Sequence, residues 1–117
     1  MFSSIAADHI QNRRNVGPLE GATHYGSSGE RGCGPYVEIW LLVEDGLIKR
    51  AAYRTHGCPS SIAAASLAAQ IATGRKVSQI RLLTGQDLLR ILSGLPEGKE
   101  TFAYMAVEAI NLALEEK

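Results

Sequence analysis

The sequence has no excess of charge of either sign and no long hydrophobic run, and it contains only two cysteines. Twelve Lys and Arg residues balance twelve Asp and Glu residues in a chain of 117 residues. Because nucleic acid is bound through a surplus of basic side chains, this balance argues against a nucleic-acid partner. No apolar segment approaches the roughly 20 residues that span a bilayer, so we expect no membrane partner either.

The chain also lacks the features of a secreted protein and the short motifs of common enzyme classes. Its first residues show no basic segment followed by an apolar stretch, which predicts a cytoplasmic protein. Two cysteines cannot form a disulfide framework, and we expect both to be thiols. No CxxC pair, HExxH motif or nucleotide-binding glycine pattern is present, and we predict a protein that is not an enzyme. The length fits one domain over residues 1–117.

What is present begins with a β-hairpin. Val37, Ile39, Leu41 and Val43 alternate with residues that are also bulky, so we expect a strand covered on both faces. An Asp-Gly pair at 45–46 predicts a tight turn, after which a second strand runs over residues 47–55. The segment 21–34 is rich in Gly and Ser and fits either a mobile loop or an edge strand.

The remaining segments predict helices. An alanine-rich run from Pro59 predicts a buried helix that ends near Gly74. Thr84 and Asp87 have the spacing of a capping box, which predicts a helix through residue 93. Further helices are predicted over residues 4–13, 77–83 and 99–116, the last with an apolar stripe of Phe102, Met105, Ala106, Ala109, Ile110 and Ala113. A small antiparallel sheet with helices covering one face is an α+β sandwich.

Cys58 is the residue with the clearest chemical potential. Pro59 suits the first helical position, which places Cys58 at the N-cap. There a thiolate faces unpaired N–H groups and the positive end of the helix dipole, which lowers the thiol pKa and improves the sulfur as a nucleophile or metal ligand. Cys33 lies between two glycines that leave its sulfur accessible, and His56 precedes Cys58 by two residues.

Cys33, Cys58 and His56 together predict a metal site. Two thiolates and one imidazole suit iron, an iron–sulfur cluster or, with one water, a mononuclear Zn²⁺ ion. Each residue also has an ordinary structural interpretation, because a lone cysteine is often a small buried apolar residue and a histidine is often a partly exposed polar one.

Several segments occur in a characteristic order along nearly the whole chain: DHIQNRRNVG at 8–17, the glycine-flanked Cys33, the hairpin, YRTHGCPSSIAAASLAA at 53–69, and LPEGK at 95–99. This order resembles that of the IscU/NifU-type iron–sulfur cluster assembly scaffolds. The resemblance implies the same α+β fold, in which the Cys33 loop, the start of the Cys58 helix and the last helix meet at one end.

The departures from the family fall on its active positions. The family builds a cluster with three cysteines, an Asp near the first and a His beside the third. Cys33 and Cys58 match the first two cysteines, whereas Pro35 replaces the Asp and Thr101 and Phe102 replace the His-Cys pair. A [2Fe–2S] cluster needs four ligands, so a second chain in a symmetric homodimer or an external thiol has to complete the set.

The resemblance therefore predicts a scaffold or carrier that binds iron or a [2Fe–2S] cluster through Cys33 and Cys58, with His56 as an auxiliary ligand. One alternative is a paralogue that binds no cluster and acts as an interaction or regulatory module in cluster assembly. Another is a thiol or persulfide relay in which Cys58 accepts sulfur.

The resemblance also implies two protein partners, a cysteine desulfurase and an Hsp70-type chaperone. In the family the chaperone binds a segment that typically reads LPPVK. Leu95, Pro96 and Lys99 match that segment, whereas Glu97 and Gly98 do not.

Overall fold

The structure is a computed structural model that describes residues 2–12, 15–29 and 34–115. Within these ranges a three-stranded antiparallel sheet in the order β1-β2-β3 is combined with five helices, which confirms the predicted α+β class. The elements are α1 (Ser4–Gln11), β1 (His24–Gly29), β2 (Tyr36–Glu44), β3 (Leu47–His56), α2 (Pro59–Ala72), α3 (Val77–Ile80), α4 (Gly85–Leu92) and α5 (Thr101–Glu115). No helix in these ranges has both the length and the apolar character to span a bilayer.

The central hairpin forms where the sequence predicts it. Asp45 and Gly46 both adopt positive φ, +55° and +75°, which is the backbone of the tight turn favoured between two twisted antiparallel strands. The turn pairs Glu44 with Leu47, and an irregularity between Leu42 and Val43 then shifts the register by one residue, so that Ile39 pairs with Tyr53 and Glu38 with Arg54. Successive residues of β2 therefore point to opposite faces of the sheet.

The segment rich in Gly and Ser forms an edge strand over His24–Gly29, so the edge-strand alternative is correct there. The close approach of α5 explains why position 26 of this strand is a glycine. A Cβ at Gly26 would lie 2.2 Å from the Ala109 carbonyl oxygen and 2.4 Å from the Ala113 nitrogen. The backbone of α5 thus lies almost directly on β1, and only a residue without a side chain permits this approach.

Helix α2 occupies the centre of the fold. It packs against β3, α1 and α5, and its small side chains are buried on nearly every side. Pro59 lies in its first turn, Cys58 is its N-cap, and Gly74 follows its end with φ +87°. These features confirm the predicted buried helix and its two boundaries.

The other helices also form, with ends that differ slightly from the prediction. Helix α4 begins with the predicted capping box between Thr84 and Asp87. Helix α3 stops at Ile80, before the expected residue 83, and α5 begins at Thr101 because residues 96–99 form a turn. The predicted end of α1 at Arg13 lies outside the described residues. His9 is buried in α1 and its Nδ1 lies 2.8 Å from the Ser66 hydroxyl, which fixes α1 on α2.

The outer edge of β3 is partly occupied by other segments of the chain. The Tyr53 N–H donates to the Asn15 carbonyl at 3.0 Å, and the Gly17 N–H donates to the Tyr53 carbonyl at 2.7 Å. Near the other end of the strand, Leu47 forms an isolated bridge with Lys76.

Candidate functional site

Cys58 lies at the junction where β3 ends and α2 begins. Its backbone is extended, as expected at an N-cap, and its side chain is half-buried. The Ser61 amide and hydroxyl both donate to the Cys58 carbonyl, at 2.9 and 2.7 Å, which fixes the backbone of the turn. The thiol makes no capping hydrogen bond of ordinary geometry.

The surroundings of Cys58 favour a thiolate. Burial by itself raises the pKa of the thiol, but the amides of Ser60 and Ser61, the Ser60 hydroxyl and the positive charge of Lys99 together lower that pKa below its usual value. The direction of this pKa shift agrees with the effect expected of the N-cap position. The contribution of Lys99 was not predicted, because no local pattern connects two residues so far apart in the chain.

The start of α5 contacts the turn that carries Cys58. The Phe102 ring is buried, and its Cε1 and Cζ atoms lie 3.4 and 3.5 Å from the position that a Cβ on Gly57 would take. One helical turn later, the Met105 Cε atom lies 3.1 Å from the corresponding position on Gly29, the last residue of β1. The first turns of α5 therefore contact both the Cys58 turn and the strand that leads into the segment of Cys33.

Cys33 lies outside the described residues, so its predicted role as a ligand stays a prediction. The described residues on either side of its segment are informative. Gly29 pairs with Tyr36 across β1 and β2, and Tyr36 pairs with His56 across β2 and β3. The chain thus leaves and re-enters the sheet at the same end at which β3 leads into Cys58.

His56 is exposed and stacks on Tyr36, with ring centroids 5.9 Å apart and planes inclined by 18°. By register, both rings lie on the face of the sheet opposite Ile39 and the helices. Across residues 2–12, 15–29 and 34–115, no three His, Cys, Asp or Glu side chains converge on a metal position. A ligand set of Cys33, Cys58 and His56 remains a prediction, and the stacking of His56 favours a secondary role for the imidazole.

The LPEGK segment forms a tight turn immediately before α5. The Lys99 amide donates to the Pro96 carbonyl at 2.9 Å, and Gly98 adopts φ +86°. Leu95 and Pro96 are partly buried and Lys99 is exposed. The positive φ explains the glycine, because a β-branched residue at this position would be strained.

A polar cluster on the outer face of β2 was not predicted from the sequence. The Glu38 carboxylate is buried and accepts hydrogen bonds from Arg54 Nε at 2.8 Å and the Tyr25 hydroxyl at 2.6 Å. Arg54 also lies over the Trp40 ring, 5.4 Å from its centroid. The direct cross-strand pairing of Glu38 with Arg54 was the available signal, but it depends on a register that the sequence alone does not specify.

Comparison with known proteins identifies the family. The family model for the NifU-like N terminal domain matches residues 1–116. This chain belongs to that family. In this NifU-like domain, Cys58 lies at the β3–α2 junction, at the end of the sheet where β1 stops at Gly29. The start of α5 contacts the same region.

Relatives of this NifU-like chain agree with the assignment, and solved structures share its fold. The iron-sulfur cluster assembly scaffold protein IscU 1 of Archaeoglobus fulgidus is 33% identical over 97% of this chain and 74% of its own length. The IscU scaffold protein of Escherichia coli K12 is 31% identical over 97% of this chain and 91% of its own length. A crystal structure of a SUF-system scaffold protein from Fervidobacterium islandicum covers 97% of this chain and 96% of its own chain, with a TM-score of 0.69 at 15% identity. The NifU-like N-terminal protein of Brucella abortus covers 97% of this chain and 78% of its own, with a TM-score of 0.61 at 22% identity.

Proposed function

We propose that this NifU-like domain is a non-enzymatic, cytoplasmic scaffold or carrier in iron–sulfur cluster assembly. The cargo is iron or a [2Fe–2S] cluster, held through Cys58 and Cys33. The observation that carries the proposal is the position of Cys58. It is the N-cap of α2, its surroundings favour a thiolate, and it lies at the end of the sheet where β1 stops and β2 begins, on either side of the segment of Cys33. The names of the related scaffold proteins support the same function.

The chemistry of the residues fits a cargo that is bound loosely and passed on. A thiolate is the form of cysteine that ligates iron, and the surroundings of Cys58 favour it. One chain offers Cys33 and Cys58, with His56 as an auxiliary ligand, and Phe102 supplies no donor atom. The four ligands of a [2Fe–2S] cluster are then completed by a second copy of the chain or by an external thiol.

Anaerobic reconstitution of the full chain with ferrous iron and sulfide tests this proposal. We expect protein-bound iron and sulfide, with visible charge-transfer absorption, in the monomer or dimer fraction after gel filtration. Cys58→Ser should abolish most of the bound iron, whereas Ser78→Ala, an exposed change on α3, should retain it. Absence of protein-bound iron from both fractions of the unmodified chain would rule the cargo out.

The partners of this activity are proposed to be a cysteine desulfurase and an Hsp70-type chaperone. The turn at Pro96–Lys99 supports a contact at this end of the molecule, because it presents an exposed Lys99 whose charge acts on the Cys58 thiol. A desulfurase should then protect Cys58 from alkylation in the mixed complex. Equal alkylation with and without the desulfurase would count against that partner.

A second candidate function, a persulfide relay, is favoured by the lowered pKa of Cys58. In this step the Cys58 thiolate attacks the terminal sulfur of a cysteine persulfide on a donor protein. A sulfur–sulfur bond forms at Cys58 as the donor's sulfur–sulfur bond breaks, and the donor leaves as a thiolate, so no external oxidant is needed.

Alkylation of the Cys33→Ser variant over a range of pH tests the reactivity that this relay requires. Because the pKa of Cys58 is lowered, the rate should reach its plateau at a lower pH than that of free cysteine. Lys99→Met should move the profile toward that of free cysteine, whereas Lys76→Met, at the N-cap of α3, should not move it. A profile that coincides with that of free cysteine would remove the basis for the relay.

A further inference from the structure

An irregularity of the hairpin places two consecutive basic residues on the surface. Ile48 and Arg50 pair with neighbouring residues of β2, Val43 and Leu42. Lys49 between them has no partner, so it is the extra residue of a β-bulge, in which two residues of one strand oppose one of the other. The bulge interrupts the alternation of β3 between the two faces of the sheet, and Lys49 and Arg50 are both exposed.

The segment that follows α2 adds a third basic residue at the same place. Lys76 forms an antiparallel bridge with Leu47, and the Val77 N–H donates to the Gly46 carbonyl at 2.9 Å. Residues that lie directly opposite each other in such a pairing have their side chains on the same face. One open cleft of about 650 Å³ beside the hairpin turn is lined by Lys49 and Lys76 and by the partly buried Leu47 and Val77.

Lys49, Arg50 and Lys76 form a surface that we call the basic ledge. All three side chains are exposed, and none forms an ion pair with a residue that the structure describes. Basic and acidic residues balance in the chain as a whole, so the ledge is a local concentration of positive charge on a chain without net charge. A surface of this kind is complementary to an acidic partner.

The rest of the cleft indicates which class of acidic partner fits. Glu44 and Asp45 are also exposed and line the side of the cleft formed by the turn. Their carboxylates repel a uniform polyanion such as nucleic acid or an anionic membrane surface. Leu47 and Val77 supply apolar contact area, which suits the side chains of a polypeptide. The combination of charges and apolar lining therefore favours a protein segment.

We propose that the basic ledge and its cleft bind an acidic segment of another protein. Carboxylates of that segment pair with Lys49, Arg50 and Lys76. An apolar side chain of the segment lies in the cleft against Leu47 and Val77.

The basic ledge lies at the opposite end of β3 from Cys58. Lys49 and Arg50 are near the first residue of this ten-residue strand, and Cys58 follows its last residue. An extended chain of this length spans about 30 Å. A protein segment bound at the ledge therefore leaves the Cys58 turn accessible, and the inference does not depend on the cargo that Cys58 holds.

Fluorescence anisotropy of a labelled peptide made of repeated Glu-Glu-Leu units tests this proposal on the full chain. We expect binding that weakens as salt is added. Lys49→Gln combined with Lys76→Gln should weaken it about fivefold, because each exposed ion pair contributes only modestly. Lys49→Glu should weaken it more than Lys49→Gln, because a carboxylate there repels the peptide. Arg90→Gln combined with Lys99→Gln is the matched control, since it removes two exposed positive charges elsewhere and should leave the affinity unchanged.

The outcomes either support or overturn this assignment. Equal weakening in the two double variants would show only a general attraction between charges and would overturn it, as would no binding of the peptide to the unmodified chain. A single-stranded oligonucleotide and phosphatidylserine vesicles are titrated in the same way. Tighter binding of either one through Lys49 and Lys76 would assign the surface to a polyanion and rule out the protein segment. All the substitutions are at exposed side chains, and circular dichroism establishes that the variants are folded.

Discussion

The two faces of the sheet are built from different chemistry. The face toward the helices is apolar and closely packed, with Val37, Ile39 and Leu41 fully buried and Gly26 in contact with the α5 backbone. The opposite face carries aromatic, charged and polar groups, among them the buried Glu38 carboxylate, which forms an ion pair with Arg54. The free energy of unfolding should therefore depend on side-chain volume on the first face and on hydrogen bonds to buried polar groups on the second.

The largest effect is expected from Gly26→Ala on the helix-covered face. The new Cβ would overlap backbone atoms of α5, which cannot move independently of the helix. Overpacking of this kind should cost about 3 kcal/mol of unfolding free energy. Chemical denaturation measures it, with Ser27→Ala as the control because Ser27 lies on the opposite face and should change stability by less than about 0.5 kcal/mol. Equal losses in the two variants would show that the two faces do not differ.

A smaller effect is expected from Tyr25→Phe on the outer face. The change removes a single oxygen that donates to the buried Glu38 carboxylate at 2.6 Å. Hydrogen bonds to charged groups contribute about 1.5 kcal/mol or somewhat more, and the loss should be of that size. Tyr104→Phe is the matched control, since the half-exposed Tyr104 makes no hydroxyl hydrogen bond within the described part of the chain. If Tyr25→Phe left the free energy of unfolding unchanged, the hydrogen bond to Glu38 would not contribute to stability.

The smallest effect is expected at the exposed rim of the helix layer, and it should depend on pH. Capping hydrogen bonds with Thr84 and the nearby Arg90 lower the pKa of Asp87. A carboxylate whose pKa is lower in the folded state stabilises the fold above its unfolded pKa, and this contribution is lost as pH falls through the folded value. The difference in melting temperature between the unmodified chain and Asp87→Ala should therefore shrink in acid.

Thr84→Ser retains the hydroxyl that caps α4 and should keep the neutral-pH stability of the unmodified chain. A difference between the unmodified chain and Asp87→Ala that stays constant from neutral to acid pH would show that the capping carboxylate is not the cause.

Features set by neighbouring residues were predictable from the sequence. The Asp-Gly turn, the N-cap position of Cys58 before Pro59 and the capping box at Thr84 each depend on residues within one turn of chain. All three appear in the structure as predicted. The lowered pKa of Cys58 follows in part from the same local rule.

Features set by long-range packing were not predictable. Residues 24–29 form a strand because α5 lies on Gly26, and a Gly-Ser segment alone does not distinguish that arrangement from a loop. The effect of the Lys99 charge on Cys58 and the burial of Glu38 depend in the same way on how distant segments are arranged. The apolar stripe predicted Phe102 to be buried, but not that its ring would contact the Cys58 turn.

The outer edge of β3 is partly covered by other segments of this chain. Tyr53 pairs there with Asn15 and Gly17, and Leu47 forms a bridge with Lys76. Unpaired strand edges invite aggregation, and here one margin of the sheet is already occupied near both of its ends. A strand from another molecule that joins the sheet by backbone pairing must therefore approach the edge formed by β1. That strand is only six residues long and contains glycines, so it offers few backbone pairs and few side-chain contacts.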